Sequence, residues 1–107
     1  MDIADWRRQI DEVDQQLVRL INERAKCALE VGRLKRNLSM PVYEPDRERI
    51  IFENIGRNNG GPLTNIQLRQ VFERLVDVMR QIQGNEMTTE AAKSHGANVV
   101  TESTNKD

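Results

Sequence analysis

The sequence predicts an all-α chain of three helices, with one very long helix at its N-terminal end. Apolar residues recur at alternating steps of three and four through the first third of the chain, a pattern typical of a helix that packs on other helices. Two shorter stretches of helical periodicity follow, each preceded by a helix-start signal, and strand signals are absent. We therefore expect a helical bundle.

The first predicted helix extends from about Ile3 to Leu38, and Arg24 interrupts its apolar seam at a position where a leucine is expected. The apolar members of this seam are Ile3, Trp6, Ile10, Val13, Leu17, Leu20, Cys27, Val31, Leu34 and Leu38. A guanidinium in an apolar seam is costly to desolvate unless it is paired. Arg24 is therefore the first candidate for a ligand site, although an ion pair with Glu23, Glu30 or a partner chain would also explain it.

The length of this helix predicts self-association. A helix of about 36 residues with a rise of about 1.5 Å per residue is about 54 Å long. A compact chain of this size has an expected radius of gyration of only about 13 Å. Because the helix must extend beyond any core that one chain can form, we expect a second copy or another protein to cover it.

The second predicted helix begins near Pro45, after a short connector over residues 39–43. Proline is favoured in the first turn of a helix, and Asp46 and Glu48 suit the positive helix end. Its apolar stripe consists of Ile50, Ile51 and Ile55. These signals predict a short amphipathic helix.

The third predicted helix follows a turn over residues 58–62. Thr64 and Gln67 form a capping box at its start, and Gly84 is expected to end it. Its predicted buried face consists of Leu68, Val71, Phe72, Leu75, Val76, Met79 and Ile82. Residues 85–107 lack periodicity and are expected to form a mobile tail.

Composition and charge argue against several classes of function. The formal net charge of −1 favours neither nucleic acid nor an anionic membrane surface, and no apolar run is long enough to span a membrane. The polar, acidic N-terminal segment argues against a secretory signal, so a cytoplasmic location is expected. Cys27 lies on the seam, where we expect a small buried apolar residue, and a lone cysteine excludes an intrachain disulfide.

Several polar residues of the first helix are candidates for a ligand site. Arg24 and Lys35 are eleven residues apart, or about three turns, and so share a face with only about 20° of drift. Arg7 lies about 25 Å from Arg24 along the helix axis and roughly 100° around it. The two side chains of one chain therefore cannot contact the same small ligand. An antiparallel partner helix could supply Arg7. Alternatively, Arg7 belongs to a solvated face, and the helix macrodipole alone explains Lys35.

Further candidates lie on the other two helices. Gln83 places an amide on the otherwise apolar face of the third helix, and Glu44, Arg47 and Glu48 cluster at the start of the second. Each also has a purely structural explanation, as a helix cap, a surface charge or a partner for a helix end. No cluster of Cys and His residues has metal-ligand spacing, and His95 lies in the predicted tail, so no metal or cofactor is expected.

Together these stretches resemble the all-α (AroQ-type) chorismate mutases over roughly residues 3–83. The resemblance rests on WRRQIDEVDQQLVRLINERAKCALEVGRLKR, on PVYEPDRERI and on VFERLVDVMRQIQ. It implies an intertwined homodimer of three-helix chains in which each of two active sites takes one residue from the partner's long helix. The implied activity is the rearrangement of chorismate to prephenate in aromatic amino-acid biosynthesis.

The resemblance also implies roles for the candidates on the first and third helices. Arg24 and Arg7 of the other subunit resemble the arginines that clamp the two substrate carboxylates. Lys35 and Gln83 resemble the donors to the ether oxygen. Met79 departs from the family pattern, in which a serine or another small residue often occupies its position, so one carboxylate contact is expected to be missing.

The implied roles of the second-helix residues concern the rest of the substrate. Glu44 and Glu48 resemble residues around the substrate hydroxyl, and Arg47 resembles an arginine near the ring carboxylate. Two alternative functions stay open. One is an isochorismate pyruvate-lyase, although the loop before the second helix of these lyases tends to lack an acidic residue like Glu44. The other is a non-catalytic helical dimerisation module.

Overall fold

The protein is an all-helical chain in which a short and a medium helix follow one long helix. The computed structural model describes the backbone of residues 1–92 and the side-chain surroundings of residues 1–84. Within that part, α1 spans Ile3–Asn37, α2 spans Pro45–Asn58 and α3 spans Asn65–Ala92, with no β-strand. The predicted three-helix, all-α class is confirmed. None of these helices is long and apolar enough to cross a membrane.

Local side-chain chemistry sets the start of each helix. At α1, Asp2 accepts a hydrogen bond of 2.9 Å from the Asp5 N–H, and Asp5 accepts one of 3.1 Å from the Asp2 N–H. The predicted capping box of α3 is confirmed, because the Gln67 N–H donates to Thr64 Oγ1 at 3.1 Å and the Thr64 N–H donates to Gln67 Oε1 at 3.0 Å. Pro45 occupies the first turn of α2, as predicted.

The predicted end of the third helix at Gly84 is wrong, because α3 continues to Ala92. Gly84 does not adopt the left-handed conformation with which a glycine commonly ends a helix. A glycine inside a helix costs about 1 kcal/mol relative to alanine, which is too little to end a helix by itself. The remaining residues of the predicted tail, 93–107, lie outside the part that the structure describes.

The small core of the chain is centred on α3, which packs against both α1 and α2. Val76 and Met79 are its buried apolar residues, and no large side chain of the described part is fully buried. Leu68, Phe72, Leu75 and Ile82 of the predicted face are partly buried. Val71 was predicted to be buried but is 57% exposed, because neither α1 nor α2 covers that side of the helix start.

The N-terminal part of α1 extends away from this core. The longest dimension of the molecule is 52 Å, close to the length expected for the 35 residues of α1. Seam residues in this part are all exposed: Ile3, Trp6, Ile10, Val13, Leu17 and Leu20. Cys27 is exposed as well, contrary to the prediction, because the surface that would cover the seam is not supplied by the described part of the chain.

Candidate active site

A cavity of about 320 Å³ lies between the C-terminal part of α1, the start of α2 and the middle of α3. Its volume suits a small metabolite. The polar side chains that line it are Arg24, Lys35, Glu44, Arg47, Glu48, Arg80 and Gln83. The other lining residues are Cys27, Ala28, Val31, Val42, Ile51, Val76 and Met79.

Most of the residues singled out from the sequence meet at this cavity. Six of them line it: Arg24, Lys35, Glu44, Arg47, Glu48 and Gln83. Arg7 does not, because it lies exposed near the start of α1, well over four turns before Arg24. A single chain therefore presents the Arg24 side of the cavity without Arg7.

The end of α1 is shaped so that the chain turns back over Lys35. Ser39 has a φ of 58°, in the left-handed region, and its N–H donates to the Arg36 carbonyl at 3.2 Å. The Met40 N–H donates to the Lys35 carbonyl at 2.8 Å, which completes a Schellman motif. This motif directs the connector, residues 39–44, back along the last turn of α1.

The connector then holds the Lys35 ammonium group. Lys35 Nζ donates to the Val42 carbonyl at 2.9 Å and forms an ion pair with Glu44 Oε1 at 2.9 Å. The residue is only 8% exposed, so its charge has lost most of its contact with water. An ammonium has three N–H donors, and these two contacts leave one for a ligand in the cavity.

A close approach of α1 and α3 positions Gln83. A Cβ placed on Gly32 would lie 3.2 Å from Gln83 Cγ, a tighter contact than side chains normally make. The absence of that Cβ lets Gln83 Nε2 donate to the Ala28 carbonyl at 2.7 Å. The second N–H of the Gln83 amide is then available to the cavity. Gly32 therefore serves the site by allowing this packing.

Within residues 1–84, two arginines of the cavity have no carboxylate partner. In the part of the chain whose side chains are described, neither Arg24 nor Arg47 forms an ion pair or a side-chain hydrogen bond. The alternative that Arg24 pairs with Glu23 or Glu30 within one chain is therefore wrong. An arginine without a carboxylate partner beside a cavity offers its planar fork of donors to an anionic ligand.

Arg80 is a cavity residue that the sequence interpretation missed. It forms ion pairs with Glu48 and, at 3.0 Å, with Asp77, and its guanidinium lies 5.1 Å from the centre of the Tyr43 ring. The hydrogen bond with Glu48 raises the pKa of Arg80 above its ordinary value, so Arg80 stays charged. Its spacing of three residues from Gln83, which places both on one face of α3, was the available signal.

The charges of the cavity favour an anion with two negative charges. Four cationic side chains and two carboxylates line it, an excess of two positive charges. Lys35 and Arg80 are neutralised by their partners Glu44 and Glu48, whereas Arg24 and Arg47 provide the excess. The described residues of the cavity supply hydrogen-bond donors and cations, an arrangement suited to binding an anion and to electrostatic stabilisation.

Residues 6–84 match the family described as chorismate mutase type II. The chain belongs to this family. Among curated relatives, the bifunctional chorismate mutase/prephenate dehydratase of Aquifex aeolicus is 35% identical over 79 residues, which are 70% of this chain and 22% of that protein. The chorismate mutase of Methanocaldococcus jannaschii is 38% identical over 53 residues, covering 50% of this chain and 54% of the other.

Among solved structures, this chorismate mutase family member is similar to a chorismate mutase from Thermus thermophilus. The TM-score is 0.75 at 28% identity, with 77% of this chain and 93% of that chain covered. The chain thus spans about a fifth of the length of the bifunctional Aquifex relative but nearly the whole of the Thermus chain. The family match over residues 6–84 includes all of α2, most of α1 and α3, and every residue that lines the cavity.

Proposed function

We propose that this protein is a chorismate mutase that converts chorismate to prephenate, a step in the biosynthesis of phenylalanine and tyrosine. The observation that carries the proposal is the pair of arginines, Arg24 and Arg47, that line the cavity and have no carboxylate partner among the described residues. Chorismate carries two carboxylates, which match the two positive charges in excess. Family membership and the name of the Methanocaldococcus relative support the same activity.

The reaction requires positioning and charge stabilisation. Within one molecule of chorismate, the ether C–O bond breaks as a C–C bond forms between the enolpyruvyl group and the ring, so no group is transferred to the protein. Arg24 and Arg47 hold the carboxylates and thereby keep the flexible enolpyruvyl chain over the ring in its reactive conformer. The proposed contribution of binding is therefore to remove rotational freedom before the reaction.

Two donors act on the ether oxygen as negative charge develops there. The remaining N–H of Lys35 and the remaining N–H of the Gln83 amide are directed to this oxygen in the proposed complex. Because Val42, Glu44 and Ala28 already fix both donors, little reorganisation is needed when the bond breaks. Their contribution is greater in the transition state than in the substrate complex, so it raises kcat.

The proposed active form is a homodimer. The exposed seam of α1 offers an apolar surface that a second copy with the same seam can cover. In an antiparallel arrangement, Arg7 of each copy reaches the cavity of the other and adds a third cation for the ring or side-chain carboxylate. Pairing of the seams would also cover Cys27. A cytoplasmic location remains a prediction and belongs to this proposal.

A specific contact favours mutase over lyase activity. Glu44, the acidic residue that isochorismate pyruvate-lyases tend to lack in this loop, forms the ion pair with Lys35 and lines the cavity. Incubation of the purified protein with chorismate and with isochorismate, followed by detection of prephenate or pyruvate, separates the two activities. We expect loss of the ultraviolet absorbance of chorismate and appearance of prephenate. Release of pyruvate from isochorismate alone would contradict the mutase proposal.

The Arg24→Leu variant separates the enzyme from a non-catalytic dimerisation module. A leucine in the seam removes a desolvated charge, so the module hypothesis predicts a higher melting temperature without any loss of function. The enzyme proposal predicts a loss of mutase activity of about 100-fold or more, whatever the melting temperature does, because a charged hydrogen bond to substrate is removed. Unchanged turnover of chorismate would contradict the role of Arg24.

A further inference from the structure

We propose that Arg80 is a positioning residue that cancels the charge of Glu48 and orients its carboxylate toward the substrate hydroxyl. This inference rests on the proposed mutase function, and it adds a residue that is not part of the implied substrate contacts. Arg80 lies on α3, whereas Glu48 lies in the first turn of α2, 32 residues away in sequence. Their ion pair spans the wall of the cavity.

The position of the Arg80 guanidinium is fixed from three sides. Asp77, one turn earlier on α3, accepts a hydrogen bond from Arg80 Nη2 at 3.0 Å, and Nη1 donates to Glu48 Oε2. The Tyr43 ring packs against the same guanidinium.

The ion pair leaves Glu48 able to act on the substrate. Arg80 bonds Oε2, and the second carboxylate oxygen, Oε1, can accept a hydrogen bond from a hydroxyl in the cavity. A carboxylate held in one orientation is a more effective acceptor than one that samples several rotamers, since less freedom is lost on binding. Arg80 therefore holds the Glu48 carboxylate in the orientation that accepts the substrate hydroxyl before the substrate binds.

The second effect of Arg80 is electrostatic. A free carboxylate in the cavity would repel a substrate that carries two negative charges. Glu44 is neutralised by Lys35, and Arg80 does the same for Glu48. Without Arg80, the cavity would keep an excess of only one positive charge. Repulsion by an uncompensated Glu48 affects the bound substrate and the transition state alike, so its main consequence is a higher KM.

A double-mutant cycle tests this inference in the chain of 107 residues. Mutase activity on chorismate is measured for the wild-type protein and for Arg80→Gln, Glu48→Gln and the double variant, together with thermal unfolding of each. Arg74→Gln is the matched control, because Arg74 also pairs with Asp77 on α3 but does not line the cavity. Arg80→Lys keeps the charge and serves as the conservative variant where Arg80→Gln folds poorly.

We expect Arg80→Gln to lower kcat/KM by about 10- to 100-fold, mostly through KM, because a hydrogen-bonded ion pair is lost. In the Glu48→Gln background, where no charge needs cancelling, the same change should cost less than about 3-fold. Arg80→Lys should recover most of the activity, and Arg74→Gln should stay within about 2-fold of wild type.

Four outcomes would overturn the positioning role while leaving the mutase proposal intact. The first is an Arg80→Gln variant with wild-type activity, and the second is an equal loss of kcat/KM in the wild-type and Glu48→Gln backgrounds. The third is a loss of kcat with unchanged KM, which a reduced folded fraction would also give. The fourth is a loss in Arg74→Gln equal to that in Arg80→Gln. A wild-type protein that leaves chorismate unchanged would instead overturn the proposed function itself.

Discussion

The two halves of α1 share one apolar repeat but have different surroundings. In the N-terminal half, residues 3–23, every residue except Asp5 is exposed, including Trp6 and Ile10 at 56% each. In the C-terminal half, residues 24–37, α3 and the connector bury Gly32 and Lys35. The residues buried there do not belong to the apolar repeat, whose members Val31 and Leu34 are 44% and 59% exposed. The described part of the chain therefore leaves the repeat itself uncovered in both halves.

The difference between the halves explains how one helix can serve two purposes. The C-terminal half of α1 packs against α3 and carries Arg24 and the fixed donor Lys35, whereas the second fixed donor, Gln83, lies on α3. The N-terminal half exposes at least six apolar side chains, each of which contributes roughly 1.5–3 kcal/mol when fully buried. We infer that a second copy of the chain packs against this half, and that Arg7 reaches the cavity of that copy.

The largest effect is expected in the C-terminal half, at Lys35. Lys35→Ala removes the cation proposed to act on the ether oxygen, so we expect kcat to fall by about 10²- to 10³-fold with a modest change in KM. Steady-state kinetics with chorismate measures both. Lys26→Ala is the control, since Lys26 is exposed on the same helix and does not line the cavity. Near-normal turnover of Lys35→Ala would show the assignment to be wrong.

In the N-terminal half, a charge on the seam should act on assembly. Leu17→Glu places two like charges in the proposed interface, and we expect the dimer dissociation constant to rise by about 100-fold or more. Light scattering coupled to size-exclusion chromatography measures the mass, and activity should fall as the variant is diluted. Gln16→Glu adds the same charge beside the seam and should leave the dimer intact. A Leu17→Glu protein of unchanged mass and activity would refute the interface.

A smaller effect is expected where α1 and α3 approach most closely. Gly32→Ala introduces a Cβ that would lie 3.2 Å from Gln83 Cγ, so Gln83 must shift, and we expect kcat to fall about 10-fold through this donor. Gly56→Ala is the control, because its Cβ would make an ordinary contact of 3.5 Å with Asn65. Similar kcat values in both variants would mean that the packing at Gly32 does not position Gln83.

The smallest effect concerns the turn that ends α1. Ser39 has a left-handed φ of 58°, which glycine adopts without steric cost. Ser39→Gly should therefore raise the free energy of unfolding by about 0.5 kcal/mol, the relief of strain exceeding the added chain entropy. Denaturant titration measures the change, and kcat should be unaffected. A destabilised variant would show that the serine side chain contributes more to the turn than the strain costs.

Local rules were sufficient to predict the helix starts, but not the surfaces that cover the helices. Pro45 and the Thr64 capping box act within one turn, so the sequence reveals them directly. Val71 and Cys27 were predicted to be buried from periodicity alone, and both are exposed because burial depends on neighbours that periodicity does not specify. The error at Gly84 arose because a glycine permits a helix end without requiring one.

The candidate site was predictable where polar residues interrupt an apolar pattern. Arg24 and Gln83 stand out for this reason. The cluster of charges at the start of α2 was also visible in the sequence, and the family resemblance supplied its roles. Arg80 does not stand out, because its partner Glu48 is 32 residues away and the pairing exists only once α2 packs against α3. Contacts between distant residues of this kind require the fold itself.

The most direct test of the central claim, that each active site combines residues of two chains, is a complementation experiment with Arg7→Ala and Lys35→Ala. Each variant alone should be nearly inactive, because every site in its homodimer lacks one group. After the two are unfolded and refolded together, half of the dimers are mixed and each contains one intact site, so about a quarter of wild-type activity should return. A refolded mixture no more active than the two variants measured separately would contradict the account.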